Sequence, residues 1–367
     1  MWPYMIRLNP LGFVVLCIIC VSFYLLYSST SLTNDALQSL KQRRREVFGN
    51  QDSQPSIDLK TLLITLIRAA ERGGKEVSNV LREKHLHTKS KGKTDEGKDE
   101  LLTEGDLRSH QMMVLQVSAK FPGLKIISEE KQAPEVDGYF LPFGELQDLL
   151  YADDIHQLPS SLVPMESLMV WIDPLDATQE YTENLTQYVT TMACVAVDGV
   201  ATIGVIHEPF TQETYWAWKD FGLSDSLEEV VLTTEKQSRN STKLRFIVSR
   251  SHAGDIQKEI AKVYKDDYDI ISAGGSGYKT VQLIKGHADA YIHRTAIKKW
   301  DICAPNALLN SISRSSSVFG SMTDLNGAQI NYTDNGDVWN KEGILATLRV
   351  DHGKLLKSLT GLKVDHN

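Results

Sequence analysis

The sequence Trp171-Ile-Asp-Pro-Leu-Asp-Ala-Thr-Gln-Glu-Tyr181 forms the corner from which the fold and the chemistry of this chain can be predicted. An apolar run predicts a strand that ends in two carboxylates, Asp173 and Asp176, and Ala177-Thr178 then begins a predicted helix. Carboxylates at such a corner are ligands that hard divalent cations prefer. Backbone N–H groups and the Thr178 hydroxyl at the start of the helix suit a phosphate. Together they predict a phosphoryl-transfer centre.

Length and charge narrow the class of protein. A chain of 367 residues can bury a large core, so we expect one two-lobed unit or two domains. The composition is 42% hydrophobic and 23% charged, which is ordinary for a folded protein. The net charge of −8 argues against a nucleic-acid polymer as partner, because such a partner requires a basic face. A small phosphorylated ligand remains compatible, since bound metal supplies positive charge locally.

The N-terminal part predicts a membrane anchor of undecided orientation. Residues 11–27 carry no charge and predict an uncleaved transmembrane helix between a short N-terminus (1–10) and a basic stalk (28–55), with a cleaved signal peptide as the alternative. The basic residues at 41–45 outweigh Arg7 and favour a cytosolic C-terminal side. Sequons at Asn184, Asn240 and Asn331 favour a luminal one, so the residues alone leave both topologies open.

The four cysteines do not form an evident disulfide framework. Cys17 and Cys20 lie in the predicted anchor, Cys194 in an apolar strand and Cys303 just after an acid. Cys194 and Cys303 could pair, but the default expectation is two small buried residues without a bond.

Alternating strands and helices in two halves, 56–240 and 241–367, predict a layered α/β architecture with its site between the lobes. Helices are expected from Ser56 and over 107–120, and Asp198-Gly199 predicts a hairpin between two apolar strands, followed by a third strand at 213–219. Residues 131–166 suggest an irregular insertion, and 220–242 a linker. The charged segment 84–100 predicts a mobile loop, either a solvated connection or a flap over a metal site.

Five acids share one context, since each lies at or just beyond the end of a predicted element. They are Asp106, Glu129, Asp173, Asp176 and Asp301. Any one alone would be interpreted as a helix cap or a solvated loop acid. As a set they predict a Mg²⁺ site, because Mg²⁺ takes a few carboxylates and leaves positions for water and phosphate. Two such ions can hold both the attacking and the leaving oxygen of an in-line displacement.

The order of these motifs resembles the inositol monophosphatase family of lithium-sensitive, Mg²⁺-dependent phosphomonoesterases. The first family signature resembles Trp171-Ile-Asp-Pro-Leu-Asp-Ala-Thr178, the second Lys299-Trp-Asp-Ile-Cys-Ala304, and Ile127-Ser-Glu-Glu130 resembles the family's acid pair. The resemblance runs from about residue 58 to the C-terminus. It implies an α-β-α-β-α sandwich, preceded here by one N-terminal transmembrane helix.

The resemblance also implies a role for each matched position. Metal, as two or more Mg²⁺ ions, would be held by Glu129, Asp173, the Leu175 carbonyl, Asp176 and Asp301. Asp106 with Thr178 would activate the attacking water, and the N–H groups of Ala177 and Thr178 would hold the phosphate. Homodimers occur in the family, so a homodimer is a candidate assembly. Most relatives have Gly or Ser at position 177. Because Ser is tolerated there, we expect that positive φ is not required and that Ala177 costs little.

The residues around the signature resemble the 3′(2′),5′-bisphosphate nucleotidase branch. This likeness rests on Gln179-Glu180-Tyr181-Thr182-Glu183 and on the segments 249–252 and 274–279. It implies that Ser249, His252, Gly275 and Lys279 would contact the nucleotide. With the anchor, the resemblance implies a Golgi type II membrane protein whose luminal domain hydrolyses adenosine 3′,5′-bisphosphate to AMP, clearing the by-product of sulfotransferases. The alternatives are an inositol or inositol polyphosphate phosphatase and a catalytically silent luminal binding protein.

Overall fold

A computed structural model of the chain describes residues 55–93, 99–131, 153–236, 243–250, 256–315, 319–334 and 336–359. The predicted anchor at 11–27, the segment before it and residues 28–54 of the predicted stalk lie outside these ranges. Within them, no helix is both long enough and apolar enough to cross a membrane. Pro55–Asn367 forms one compact unit. The predicted division at residue 240 falls between described ranges and stays a prediction.

The first part of this unit is built on a mainly antiparallel sheet with two long helices beside it. Its strands are β1 (Ser56–Asp58), β2 (Lys89–Lys93), β3 (Asp99–Leu102), β4 (Ile126–Ser128), β5 (Leu162–Pro164), β6 (Leu168–Asp176), β7 (Thr190–Val197), β8 (Val200–Glu208), β9 (Glu213–Trp218) and β10 (Gly222–Leu223). Its helices are α1 (Leu59–Glu83), α2 (Glu104–Lys120), α3 (Asp153–His156), α4 (Thr178–Thr182) and α5 (Asp225–Lys236). The strands of the main sheet run in the order β10-β9-β8-β7-β6-β4, and among the described strands of this sheet only β4 and β6 pair in parallel.

Local sequence explains where the principal elements of this sheet begin and end. Helix α1 begins at Asp58, whose carboxylate accepts the Thr61 N–H at 3.1 Å. Strands β7 and β8 form the predicted hairpin, and its two-residue turn has positive φ at both Asp198 (48°) and Gly199 (79°). The third predicted strand is confirmed as β9.

The second part of the unit contains a mixed sheet in the order β12-β11-β13-β17-β15. Its strands are β11 (Leu244–Ser249), β12 (Tyr268–Ala273), β13 (Ala290–His293), β15 (Gly320–Thr323) and β17 (Ile344–Leu348), with β14 (Ile297–Lys298) and β16 (Trp339–Asn340) pairing beside it. Its helices are α6 (Ile256–Tyr264), α7 (Ser276–Ile284), α8 (Lys299–Ser315) and α9 (His352–Ser358).

Three apolar cores hold five layers together. Helices α1 and α2 pack on one face of the first sheet through Leu62, Leu66 and Met113. Helices α7 and α8 lie between the two sheets, in a core that includes Trp171 and Tyr291. Helices α6 and α9 cover the outer face of the second sheet. The predicted α-β-α-β-α sandwich is therefore confirmed.

Three segments that were predicted to be irregular contain helices or strands. The expected loop at 84–100 contains β2 and the start of β3, which pair in an antiparallel ladder. The backbone hydrogen bonds of this ladder leave no apolar pattern in the sequence, because the side chains of the segment are mostly charged or polar. The expected linker at 220–242 holds β10 and α5, which buries Leu227 and Val231 at helical spacing. Of the predicted insertion at 131–166, the described residues form α3 and β5, and 132–152 lie outside the description.

The expectation of two unpaired buried cysteines is wrong. Cys194 on β7 and Cys303 on α8 form a disulfide whose Cα atoms are 5.7 Å apart, across 109 residues of sequence. Both cysteines lie in the central core. The bond joins the first sheet covalently to the helix layer between the sheets.

Candidate active site

The corner between β6 and α4 combines a strand end, a bulge and a residue of left-handed backbone. Register between β6 and β7 shifts from Asp173 to Asp176, and the Pro174 carbonyl in between accepts the Ser109 hydroxyl at 2.6 Å. Ala177 has φ 72° and ψ 46°, so the expectation that this position needs no positive φ is wrong. The chain passes from an extended strand into a helix within one residue, and Ala177 takes a left-handed backbone conformation there. That conformation costs a non-glycine residue about 1 kcal/mol.

Asp106 and Thr178 lie together, as predicted. The Thr178 hydroxyl is 3.0 Å from Asp106 Oδ1 and 3.2 Å from the Leu175 carbonyl oxygen. The other Asp106 oxygen accepts the N–H and the hydroxyl of Thr103, which caps α2. The predicted start of that helix at 107 is three residues late. Asp106 is therefore a capping residue in the first turn of α2, and its Oδ1, which takes no part in the cap, accepts the Thr178 hydroxyl.

Burial raises the pKa of the four aspartates of the site, and neighbouring carboxylates raise some of these pKa values further. Asp106 is 0% and Asp173 1% exposed. Burial raises the pKa of Asp106 to about 7, with the nearby Glu129 charge adding to the shift. Burial raises the pKa of Asp173 and Asp301 well above the usual range, and neighbouring carboxylates raise both further. The site therefore gathers more negative charge than its own protein groups neutralise.

The acid pair Glu129-Glu130 is bridged by an ammonium group from the strand pair β2–β3. Lys91 Nζ lies 2.7 Å from a carboxylate oxygen of each. Lys298, next to α8, contacts Glu100 on β3. Lys93 and Glu100, from the same strand pair, line the cavity that also contains Asp173 and Asp176. The strand pair therefore lies at the site. This agrees with the flap interpretation of the segment.

Asp176 connects the corner to the second part of the chain. Its Oδ2 accepts the N–H of Gly277 at 2.7 Å and the Thr190 hydroxyl at 3.3 Å. Gly277 is in the first turn of α7, and the residue before that helix, Gly275, has φ 62°. Burial raises the pKa of Asp176, whereas the charge of Lys279 opposes that rise.

A cavity of about 290 Å³ opens at this junction. Its predicted lining residues include Glu129, Asp173, Leu175, Asp176, Ala177, Thr178, Ser249, Gly275, Lys279 and Asp301. Asp106 lies behind Thr178 and reaches the cavity only through it. His252 lies outside the described residues. Sequence reasoning missed Lys91, Glu100, Glu180 and Lys298, because their roles depend on contacts between segments that are distant in the chain.

The predicted sequons have differing surroundings. Asn184, just after α4, is exposed and has φ 61°. Asn331 is also exposed, and its side-chain oxygen accepts the N–H of Thr333 at 2.9 Å. Asn240 lies outside the described residues.

The donor set fits Mg²⁺ by its chemistry. Carboxylate and carbonyl oxygens are the ligands this ion prefers, and the raised pKa values of Asp173 and Asp301 mark an excess of buried negative charge that a cation would relieve. Among the described residues, no three acidic, histidine or cysteine side chains are already arranged around one point.

Comparisons with known proteins agree with this fold. The model of the inositol monophosphatase family matches residues 58–363. The chain is 43% identical to inositol monophosphatase 3 of Xenopus tropicalis, over 98% of this chain and 97% of that one. It is 39% identical to the Golgi-resident adenosine 3′,5′-bisphosphate 3′-phosphatase of Mus musculus, over 99% of both. The structure of extragenic suppressor protein suhB from Bartonella henselae has a TM-score of 0.57 at 16% identity, covering 81% of this chain and 98% of that one.

The chain belongs to the inositol monophosphatase family. The predicted resemblance is thus confirmed at the level of the family.

Replacing Asp173 with Asn tests the electrostatic description. Asparagine keeps the oxygen that accepts the Leu175 N–H at 3.2 Å but removes one of the mutually repelling charges. We expect D173N to melt at a higher temperature than the wild type in EDTA, to gain less from added Mg²⁺, and to lose about 100- to 1000-fold in kcat. Differential scanning calorimetry and phosphate release measure these effects. A metal-free variant less stable than the wild type would contradict the charge argument.

Proposed function

We propose that this member of the inositol monophosphatase family is a Mg²⁺-dependent phosphomonoesterase that hydrolyses the 3′-phosphate of adenosine 3′,5′-bisphosphate. The products are AMP and inorganic phosphate. Asp106, Thr178 and the four metal-ligating acids Glu129, Asp173, Asp176 and Asp301 carry the reaction. Inhibition by lithium is expected from the family resemblance, and the homodimer stays a prediction.

The observation that carries this proposal is the hydrogen bond between Thr178 Oγ1 and Asp106 Oδ1 beside the carboxylate corner. Thr178 lines the cavity, so its hydroxyl can accept a hydrogen bond from a water there while it donates to Asp106. A carboxylate whose pKa lies near 7 is suited to take a proton at neutral pH. The hydroxyl thus relays to Asp106 the proton that the water loses as its oxygen bonds to phosphorus. The bond from phosphorus to the ribose 3′-oxygen breaks in the same step, and that oxygen takes its proton from a solvent water in the open cavity.

The remaining groups bind and orient the substrate. Bound Mg²⁺ would polarise the phosphoryl oxygens and favour ionisation of the attacking water. The N–H groups of Ala177 and Thr178 stay the proposed donors to the cleaved phosphate. Ser249, Gly275 and Lys279, from the second part of the chain, line the same cavity, and the adenosine and its 5′-phosphate would lie against them. His252, in the same proposed segment, stays a prediction.

The choice of nucleotide over inositol rests on this part of the cavity lining and on the names of the relatives. Some relatives are named inositol monophosphatase 3, which keeps an inositol phosphate as the second candidate substrate. Others, at similar identity and coverage, are named adenosine 3′,5′-bisphosphate 3′-phosphatase. The catalytically silent alternative is disfavoured, because Glu129, Asp173, Asp176 and Asp301 line one cavity and Asp106 reaches it through Thr178.

A substrate panel tests the proposal directly. The purified protein with Mg²⁺ should release phosphate faster from adenosine 3′,5′-bisphosphate than from inositol 1-phosphate, inositol 1,4-bisphosphate or fructose 1,6-bisphosphate. Compared with inositol 1-phosphate, the physical reason is the cationic Lys279 in the cavity wall, which adds an attraction for a second phosphate. Compared with the two bisphosphates, the expected preference rests on the names of the relatives. Preference for an inositol phosphate would replace the substrate and leave the phosphatase assignment, and no release from any of the four would refute both.

Thr178 offers a test of the proton relay. T178V removes the hydroxyl at nearly constant volume and should lower kcat by about 10²- to 10⁴-fold, with a smaller change in KM. T178S retains the hydroxyl and is the matched control, expected to keep most of the activity. Steady-state phosphate release with saturating Mg²⁺ provides the measurement. Equal losses in the two variants would show that the methyl group rather than the hydroxyl matters.

For location, we propose a Golgi membrane protein of type II topology with residues 11–27 as anchor and a luminal catalytic domain. Relatives named Golgi-resident support this placement. The Cys194–Cys303 disulfide supports it too, because disulfides persist in the secretory lumen and are rare in the cytosol. Against it stand the basic residues at 41–45, which the positive-inside rule places in the cytosol.

Glycan attachment distinguishes the two topologies. If the domain is luminal, peptide-N-glycosidase should increase the gel mobility of the full-length protein made in animal cells, and N240Q should remove at least one step of that shift. Asn240 is the preferred acceptor because it lies between α5 and β11, in the predicted linker. N184Q and N331Q serve as comparisons. Absence of glycan from all three sequons would contradict the luminal placement.

A further inference from the structure

The Thr178 hydroxyl is carried by a helix that is too short to be stable alone. Helix α4 has five residues (Thr178–Thr182), and its first backbone hydrogen bond runs from the Tyr181 N–H to the Ala177 carbonyl at 2.9 Å. A helix of about one turn does not form in water without packing, because nucleation is unfavourable and few hydrogen bonds offset it. The position of the Thr178 hydroxyl therefore depends on what holds α4 in place.

Tyr181 is the buried side chain that attaches α4 to the long helix α1. It is 0% exposed, and its hydroxyl donates to the Val77 carbonyl oxygen at 2.8 Å. Its ring packs with Val77, Leu175 and Val189 in a small apolar cluster. Burial raises the pKa of the Tyr181 hydroxyl, so this group stays protonated and donates at neutral pH. Helix α4 is therefore tied to a carbonyl group of α1.

The same tyrosine meets α2 at the residue that precedes Asp106. A Cβ atom added to Gly105 would lie 3.0 Å from the Tyr181 hydroxyl oxygen and 3.1 Å from both Tyr181 Cε1 and Leu175 Cδ1. These distances are shorter than ordinary van der Waals contact, so the lack of a side chain at 105 lets α2 approach the corner closely. Leu175 and Tyr181 lie three residues before and three residues after Thr178. The space beside Gly105 is therefore bounded on both sides of Thr178 along the chain.

These contacts surround the hydrogen bond on which the proposed proton relay depends. The Thr178 hydroxyl, on α4, donates to Asp106 Oδ1, on α2, across 3.0 Å. Because the bond joins one side chain from each helix, its length follows the separation of α2 and α4. Tyr181 sets that separation, since it lies against Gly105 of α2 while its hydroxyl is held by Val77 of α1.

We propose that Tyr181 is a positioning residue for the reaction, which holds α4 against α2 at the separation where the Thr178 hydroxyl donates to Asp106. The inference rests on the proposed function and deepens it. It extends the relay to a fully buried residue that lies outside the cavity lining and acts through Thr178. The hydroxyl of Tyr181 and the missing side chain at Gly105 are the two features that this role requires.

The first test removes the hydroxyl of Tyr181 and keeps its ring. With Mg²⁺ and the best substrate of the panel above, Y181F should lower kcat about tenfold, because a small misplacement weakens the contact through which the proton passes. KM should stay within about twofold. In the T178V background the same substitution should change kcat by less than about twofold, because the relay that Tyr181 positions is already lost there.

T191V is the matched control for Y181F. The Thr191 hydroxyl donates to the Ala70 carbonyl of α1, also at 2.8 Å, and Thr191 is also 0% exposed. Each substitution deletes one buried hydroxyl that donates to the same helix, so both should lower the melting temperature. Only Y181F should lower kcat.

G105A tests the contact from the side of α2. Its Cβ would press on Tyr181 and Leu175, so kcat should fall by a similar factor of about ten although alanine favours a helix more than glycine does. G353A is its control. Gly353 is the second residue of α9, as Gly105 is of α2, and a Cβ there would lie 3.7 Å from Asp351 Oδ1, which is ordinary contact. The activity of G353A should match the wild type.

Amide hydrogen exchange provides a readout that does not depend on turnover. In the metal-free protein, the N–H groups of Tyr181 and Glu183, which donate to Ala177 and Gln179, should exchange faster in Y181F than in the wild type or T191V. Unchanged kcat or unchanged exchange in Y181F, an equal loss of kcat in T191V, or full additivity with T178V would overturn the inference. Failure of the proposed function is distinguishable, because the wild type would then release no phosphate from any substrate of the panel.

Discussion

Repulsion among buried carboxylates is the constraint around which this protein is organised. Asp106 comes from α2, Asp173 and Asp176 from β6, and Asp301 from α8. They converge where burial raises the pKa of all four, and neighbouring carboxylates raise the pKa of Asp106, Asp173 and Asp301 further. No apolar core would gather them unaided, so each is held by a specific device. Asp106 is bound within the capping box of α2, and Asp176 accepts a backbone N–H from the first turn of α7. These hydrogen bonds hold Asp106 and Asp176 in place against the repulsion. The carboxylates stay close enough together to bind a cation, as proposed above.

The substrate wall depends on the same convergence. Asp176 and Glu180 follow one another closely in the chain, and both reach across to the segment Gly274–Lys279. Asp176 accepts the N–H of Gly277, and Glu180 packs against Gly274 and contacts Arg250. The short stretch from Asp176 to Glu180 therefore joins the corner to the second part of the chain at two points.

Much of this arrangement could be predicted from local sequence, and the rest could not for identifiable reasons. Asp198-Gly199 predicted its hairpin because the turn chemistry is local, and the five acids were singled out because each lies at or just beyond the end of an element predicted from the sequence. Helix α5 was missed because only Leu227 and Val231 mark its buried face. The φ of Ala177 is imposed by the corner in three dimensions, and the disulfide and the Glu180–Arg250 contact join segments 109 and 70 residues apart.

The disulfide has a consequence for how the molecule is made. At a synthesis rate of about 5–20 residues per second, Cys194 waits roughly 5–20 s for Cys303, since 109 residues separate them. Asp301 is two residues from Cys303 and arrives with it. The last acid of the catalytic cluster and the covalent tie therefore enter the fold together. In the luminal placement proposed above, a quality-control step that detects a free thiol at Cys303 would also detain chains in which Asp301 is not yet in place.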